Sequence, residues 1–319
     1  MRILRAVLAA WLCLVPRAAR AQADGTTGGA LLELPATARI MALGGAYAAV
    51  VGDAGSVFVN PAGLAPVKRM ALTVSYERYV LDARLTSAAF AVRVSHFNLG
   101  VGMHLLDFGG DSVVVPDPAF GGDRGRTTGA TIGAYHALGI GALTYRRGFL
   151  SAGVSVKALR EHVGEGAEPA VNTSALGVDV GVAAAFFDIA AIGVVVQNMG
   201  GDVRGGTAAR AKLPRTTRIG SSLSFFDPQG TGRLMVTNEW VAPPGGDSYW
   251  IFGFEGGVVS GGVGVLGRLG MVAGRRRTDR SSPVVGGGLV YHNLRLDYAY
   301  QGLRSLGGGT HRFTMAWVW

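Results

Sequence analysis

The chain has 319 residues, of which 51 are glycine, 16% are charged and 49% are hydrophobic, with a formal charge of +9. Its one cysteine, Cys13, lies in the first residues, so a chain processed beyond it has no thiol for disulfides, thiolate metal sites or cysteine nucleophiles. The basic residues are scattered, which gives no patch for nucleic acid, and no apolar run after the N-terminus is long enough for a membrane helix.

In chain order, Met1-Arg2-Ile3-Leu4-Arg5 is a short basic start and Ala6 to Pro16 is apolar. Ala19-Arg20-Ala21 places small residues where a signal peptidase reads, so residues 1–21 are expected to be a signal peptide, cleaved after Ala21 or Ala23. An apolar stretch of about 11 residues cannot replace the roughly 20 that a spanning helix needs. Leu12 stands where a lipoprotein site wants a small residue before Cys13. Losing Arg2, Arg5, Arg17 and Arg20 leaves 26 basic against 21 acidic residues. The one basic cluster, Arg275-Arg276-Arg277 with Arg280, reads as a solvated turn, with contact to anionic head groups or acidic glycans as its functional alternative.

Residues 22–69 form an irregular leader rich in glycine and alanine. Asp53 and Asn60 suit helix N-caps, Pro61 falls at a first helical position where its missing N–H costs nothing, Ala62 follows it, and Gly63 allows a short helix to end. Gly44-Gly45 permits close backbone approach. The segment therefore reads as helical turns that plug a lumen or cap the N-terminus. Tyr47, Val57, Phe58 and Leu64 are its large apolar group, the one candidate for an apolar ligand pocket, with Leu64 and Phe58 read first as the plug's own small core.

From Met70 onward the sequence alternates strand and turn. The expected strands are 70–82, 84–95, 97–109, 128–145, 149–161, 174–186, 188–198, 214–226, 231–242, 248–257, 261–273, 283–291, 294–301 and 310–319. From the second connection onward every even connection is short and most odd ones are long, which is the asymmetry of periplasmic turns and external loops in a membrane barrel. The first connection, near Ala83, is tight where that parity expects a long loop. Strict alternation places Ser151, Ser155, Lys157, Arg218, Ser222, Arg295, Asp297, Gln301 and Arg312 on the lumen side. Arg295, Asp297 and Arg312 read first as charges bracing neighbouring strands, and second as pore or cargo contacts. The fold class is thus all-β: an antiparallel transmembrane barrel of about 14 strands, preceded by an N-terminal segment of short helical turns.

The last segment puts Phe313, Met315, Trp317 and Trp319 on one face and Arg312, Thr314 and Ala316 on the other. Phe313, Trp317 and Trp319 are read as the signal for the barrel-assembly machinery. His96, His104, His136, His162, His292 and His311 form no catalytic or metal-ligand spacing, and Gly153-Val154-Ser155 lies within a strand rather than at a nucleophile elbow. The reading is a non-enzymatic protein without cofactor or metal.

The pattern Gly44-Gly45-Ala46-Tyr47, Asp53-Ala54 and Asn60-Pro61-Ala62-Gly63-Leu64 resembles the hatch of FadL-type outer-membrane barrels, most closely the PorV/PorQ-like branch. Val196-Gln197-Asn198-Met199-Gly200-Gly201, Lys212-Leu213-Pro214-Arg215, Leu296-Asp297-Tyr298-Ala299-Tyr300 and Thr310-His311-Arg312-Phe313 follow in the order of that branch. Val59 and the ending Trp317-Val318-Trp319 depart from it. The resemblance implies a 14-stranded barrel with its N-terminal segment in the lumen, in the outer membrane of a Gram-negative-type bacterium. It implies docking or shuttling of exported proteins, as in type IX secretion, or uptake of hydrophobic compounds such as long-chain fatty acids; a structural surface barrel is the third reading. The partners expected are outer-membrane lipid, the barrel-assembly machinery, and exported proteins or hydrophobic small molecules.

Overall fold

The computed structural model describes residues 27–79, 82–116, 118, 125–164, 170–187, 189–205, 211–227, 230–274, 282–303 and 308–319. The expected signal peptide and the Arg275 cluster lie outside the described residues. Sixteen strands follow four short helical turns: β1 (Met70–Arg78), β2 (Arg84–Val94), β3 (Phe97–Pro116), β4 (Gly125–Arg147), β5 (Leu150–Val163), β6 (Val171–Phe186), β7 (Ala190–Gly200), β8 (Asp202–Val203), β9 (Ala211–Lys212), β10 (Thr216–Phe226), β11 (Gly232–Ala242), β12 (Tyr249–Ser260), β13 (Val263–Ala273), β14 (Val284–Tyr291), β15 (Leu294–Leu303) and β16 (Gly308–Val318).

Fourteen of these strands form one closed antiparallel barrel, and β8 with β9 makes a separate two-stranded sheet. Closure is made by β1 and β16, paired from Ala71↔Val318 to Arg78↔His311, and the Trp319 amide donates to the Met70 carbonyl at 2.9 Å. Apart from the register shifts of β3 on β4 and of β6 on β7, the ladders pair the backbone of the wall without water, the condition for crossing hydrocarbon. The outward side chains are apolar: Val101, Val156, Leu176, Val265, Leu289, Phe313 and Trp317 are all exposed. A continuous surface of this kind is stable only against lipid. Leu269, midway along β13, points outward. Leu269→Arg is expected to lower folding stability in liposomes by about 2–4 kcal/mol, read by urea titration, while an arginine at a lumen position carries no such cost.

Two sequence expectations change. The loop expected at 110–127 is largely an extension of the β3–β4 hairpin, with register shifts at Asp107/Gly110 and Ser112/Val114. Gly109, at φ +75, accommodates an irregularity of the ladder there rather than a strand end. The connection expected from Met199 to Leu213 carries β8 and β9, whose Lys212 also bridges Thr27. The tight connection at Ala83 is closed by a hydrogen bond from the Tyr79 amide to the Ala83 carbonyl.

The leader occupies the lumen as four turns: η1 (Ala30–Glu33), α1 (Ala38–Ala42), η2 (Ala54–Phe58) and η3 (Pro61–Leu64). Asp53 caps η2 by accepting from the Gly55 amide, and Asn60 caps η3 by accepting from the Ala62 amide. Gly63 does not end a helix: a Cβ there would lie 2.8 Å from Ser56 Oγ, so its role is close packing of η2 on η3.

Candidate functional site

The lumen has two unlike sides. Along β2–β5 it is apolar, and Val57, Leu64 and Val67 of the leader pack on Ala89, Ala91, Leu138 and Ile140. The lumen is therefore not polar throughout, and Leu64, read from the sequence as part of a core of the plug, packs on the wall. A small internal cluster does exist, from Ile40, Leu43, Tyr47, Val50 and Val59 with Phe58 against it.

The opposite side, along β12–β15, is ionic. Arg39 of α1 meets Glu255 of β12 at 2.9 Å and Asp53 at 3.3 Å. Asp53 meets Arg295 at 2.7 Å, and Arg295 meets Asp297 at 2.7 Å. Arg268 of β13 completes the circuit, at 2.8 Å from Asp297 and 2.6 Å from Glu255. Three arginines and three carboxylates thus alternate around a closed ring, two members from the leader and four from the wall. Alternation cancels net charge, and each ion has two opposite neighbours to offset its lost hydration. Burial would raise the Asp53 carboxyl, but the guanidiniums of Arg295 and Arg39 outweigh it and hold that carboxyl well below the usual carboxylate range. Burial and the adjacent Asp53 push the Tyr47 phenol up.

Other lumen groups hold the leader from different strands. Arg218 pairs with Glu239 and donates to the Gly45 carbonyl at 2.6 Å, while the Ala48 amide donates to Glu239 at 2.7 Å. Ser222 donates to the Ala49 carbonyl at 3.0 Å, Ser151 to the Ala62 carbonyl at 3.1 Å, and Thr144 to the Pro61 carbonyl at 2.6 Å. The Asn60 side-chain amide donates to the Ala48 carbonyl at 2.7 Å. Inward glycines supply the room: a Cβ on Gly193 would lie 2.7 Å from the Ala48 carbonyl carbon, and one on Gly270 would lie 2.6 Å from the Cα of Gly44. Gly44 and Gly45, at φ +68 and +94, make the left-handed turn that brings the chain against that wall.

Lys157 and Arg312 stand apart from these groups. Lys157 pairs with Asp179 at 2.7 Å and donates to Asn198 at 3.0 Å, beside the register shift of β6 on β7. Arg312 pairs with Glu77 of the neighbouring β1, while Arg295 reaches into the ring, so the two arginines are not one network. Gln301 lines a cavity. Phe313, Trp317 and Trp319 lie on the lipid face, the two tryptophans stacked at 5.3 Å between centroids. Sequence reading missed Glu77, Asp179, Glu239, Glu255 and Arg268, although inward parity on their own strands marks each of them.

Two cavities flank the leader. One of about 170 Å³ lies on the long-loop side, against Leu34, Ile40, Met41, Phe58, Ile251 and Val272, with Arg218, Gln301 and Arg312 at its polar edge. The other, of about 480 Å³, lies on the short-turn side, where Arg39, Val50, Phe226, Met235 and Glu255 line it. Among the described residues no cluster of three metal-ligating side chains occurs.

No family model matches the sequence, and no curated protein sequence matches it. By structure the chain is similar to the Ralstonia pickettii toluene transporter TbuX, at 15% identity over 89% of this chain and 97% of that one, with a TM-score of 0.57. It is similar to the P. putida toluene transporter TodX at 10% identity over 90% and 99%, with a TM-score of 0.56. It is also similar to the CymD monoaromatic hydrocarbon channel at 12% identity over 88% and 96%, with a TM-score of 0.55. At these identities the likeness establishes architecture alone, that of a closed 14-stranded antiparallel barrel with short helical turns at its N-terminus.

Proposed function

We propose that the chain is an uptake channel for small hydrophobic compounds in the outer membrane of a Gram-negative-type bacterium, exported by the signal peptide at 1–21, with residues 27–69 as its gate. The long loops then face outside, and Phe313, Trp317 and Trp319 address the barrel-assembly machinery. The observation that carries the reading is the cavity of about 170 Å³ on the outer face of the leader, where Leu34, Ile40, Met41, Phe58, Ile251 and Val272 form an apolar wall beside a polar edge. Its size is that of an apolar protein cavity of about 150 Å³ able to take up benzene. The second cavity, on the inner face, gives a released molecule a place beyond the gate. The solved structures named above, transporters and channels for toluene and monoaromatic hydrocarbons, favour the same class of substrate. Docking of exported proteins, implied by the PorV/PorQ-like resemblance, has no comparable feature in its support, and two cavities flanking the leader are superfluous in a purely structural barrel. A bacterial host expressing the chain is expected to accumulate radiolabelled toluene several-fold faster than the host alone, with no gain for a hydrophilic solute of equal size. Equal rates overturn the proposal.

A further inference from the structure

The charges of the barrel divide by position. Deep in the lumen the cations are matched: Arg39, Arg268 and Arg295 in the ring, Arg218 by Glu239, Lys157 by Asp179 and Arg312 by Glu77. The short-turn rim is different. Lys68, Arg69, Arg93, Arg146 and Arg147 lie at that end of β1 to β4, all are exposed, and none forms an ion pair among the described residues. Arg93 and Arg146 donate through Nε only to the carbonyls of their own turns, those of Ser95 and Gly148. No aspartate or glutamate occurs in residues 54–76, 85–106 or 137–160. The negative group beside this arc, among the described residues, is the terminal carboxylate of Trp319, whose amide donates to the Met70 carbonyl. Across the mouth Arg233 of β11 is also exposed and unpaired, and Asp227 on the same hairpin accepts from the Thr231 hydroxyl. Like charges gathered without counter-charges repel one another and draw an anionic partner.

The same mouth opens on the cavity of about 480 Å³, which Arg146 and Arg233 line together with Phe149, Phe187, Phe226 and Met235. Phe187 is 93% exposed and stands at φ +52, a conformation that bulky residues rarely adopt, so an aromatic side chain is offered to water at a conformational cost. Strand parity sets these cations apart from lipid. Arg93 follows the inward Ala89 and Ala91, Arg146 follows the inward Ala142 and Thr144, and Arg233 precedes the inward Thr237. Arg147, by contrast, shares the outward face of Tyr145 and suits a head group. A polyanion without apolar groups would leave the aromatic side of the cavity unfilled. We propose that the short-turn mouth is a docking surface for an acidic segment of a soluble periplasmic protein, whose carboxylates meet Arg93, Arg146 and Arg233 and whose large apolar side chain enters the cavity. A poorly soluble compound released there passes to a carrier instead of to bulk water. The proposal rests on the orientation given with the uptake reading, short turns toward the periplasm.

A fluorescent peptide of glutamates around one tryptophan, titrated by anisotropy into the purified protein in phosphatidylcholine nanodiscs, tests this. It is expected to bind, and to bind about fivefold more weakly to the pair Arg146→Gln with Arg233→Gln, the loss of two exposed charge pairs. The pair Arg160→Gln with Arg215→Gln removes the same charge at the long-loop end and is expected to bind as the parent does. Serine in place of the tryptophan is expected to cost roughly tenfold. On the parent alone, raising salt roughly tenfold is expected to release the peptide. No binding, equal weakening in both pairs, or indifference to the tryptophan overturns the docking surface. So does phosphatidylglycerol that co-purifies with the parent and is lost from the Arg146→Gln, Arg233→Gln pair, since the cations then serve lipid. Orientation is read separately: Ser260→Cys, at the short β12–β13 turn, is expected to react with a maleimide too bulky for porins only after cells are broken. Reaction in intact cells overturns the periplasmic partner, whereas absent toluene accumulation with peptide binding intact overturns uptake and leaves the docking surface standing.

Discussion

Asp53→Asn is expected to convert a quiet channel into one that opens frequently in planar bilayers. Asparagine keeps the shape of the side chain and much of its capping capacity, so η2 can still form. What it removes is the one carboxylate that the leader contributes to the ring. Arg39 and Arg295 are then left with Glu255 and Asp297, which they share with Arg268, and two guanidiniums face each other across a neutral amide. Deleting one partner of a buried ion pair costs about 3 kcal/mol or more, and that cost falls on the leader's attachment rather than on the wall. A current trace matching the parent contradicts the assignment of Asp53 to the gate. The pH dependence has a definite sign. Asp53 is held below its ordinary range, so its contribution is complete above the unfolded value of about 3.9 and is lost only as pH falls through the lower folded value. Acidifying the parent from neutral to about pH 4 therefore leaves conductance low.

Gly193→Val is expected to have the second large effect, through shape instead of charge. Its side chain would occupy the space of the Ala48 carbonyl and the Cα of Ala49, which are backbone atoms that no rotamer change moves aside. Overpacking at such a contact costs about 1–3 kcal/mol, and the leader is the part that can yield, because β7 is fixed by ladders to β6 and β10. Gly139→Val is the control, since nothing lies within 4 Å of a Cβ there. The expected result is raised conductance in Gly193→Val alone, with both variants retaining the resistance of a folded barrel to unfolding in cold detergent gels. Equal conductance in the two variants contradicts close packing of the leader on β7.

Most of the wall was legible because membrane strands impose a period of two that survives in a single sequence. On β15, Arg295, Asp297, Ala299 and Gln301 alternate with Leu296, Tyr298 and Tyr300, and the structure turns the first set inward. The caps of Asp53 and Asn60 were legible for a similar reason, since a cap acts on an amide two residues away. The ring was not. Arg39 and Glu255 are 216 residues apart in sequence, and Asp53 and Arg295 are 242 apart, so their pairing depends on how the leader sits in a closed cylinder, and no local spacing records that. The apolar side of the lumen was hidden because Leu138 and Ile140 face inward between outward glycines at 139 and 141, which blurs the alternation. Glycine misled at Gly109-Gly110, where it serves a shift of register inside a long hairpin, and at Gly63, where it serves contact.

Planar-bilayer recordings of the chain lacking residues 26–66 test the account most directly. If the leader fills the lumen and is pinned there by the ring, the remaining barrel conducts as an open pore, with a steady single-channel current well above that of the full-length protein. A conductance unchanged by the deletion, in a barrel that still resists unfolding, would contradict the gate and with it the passage of small hydrophobic compounds past it.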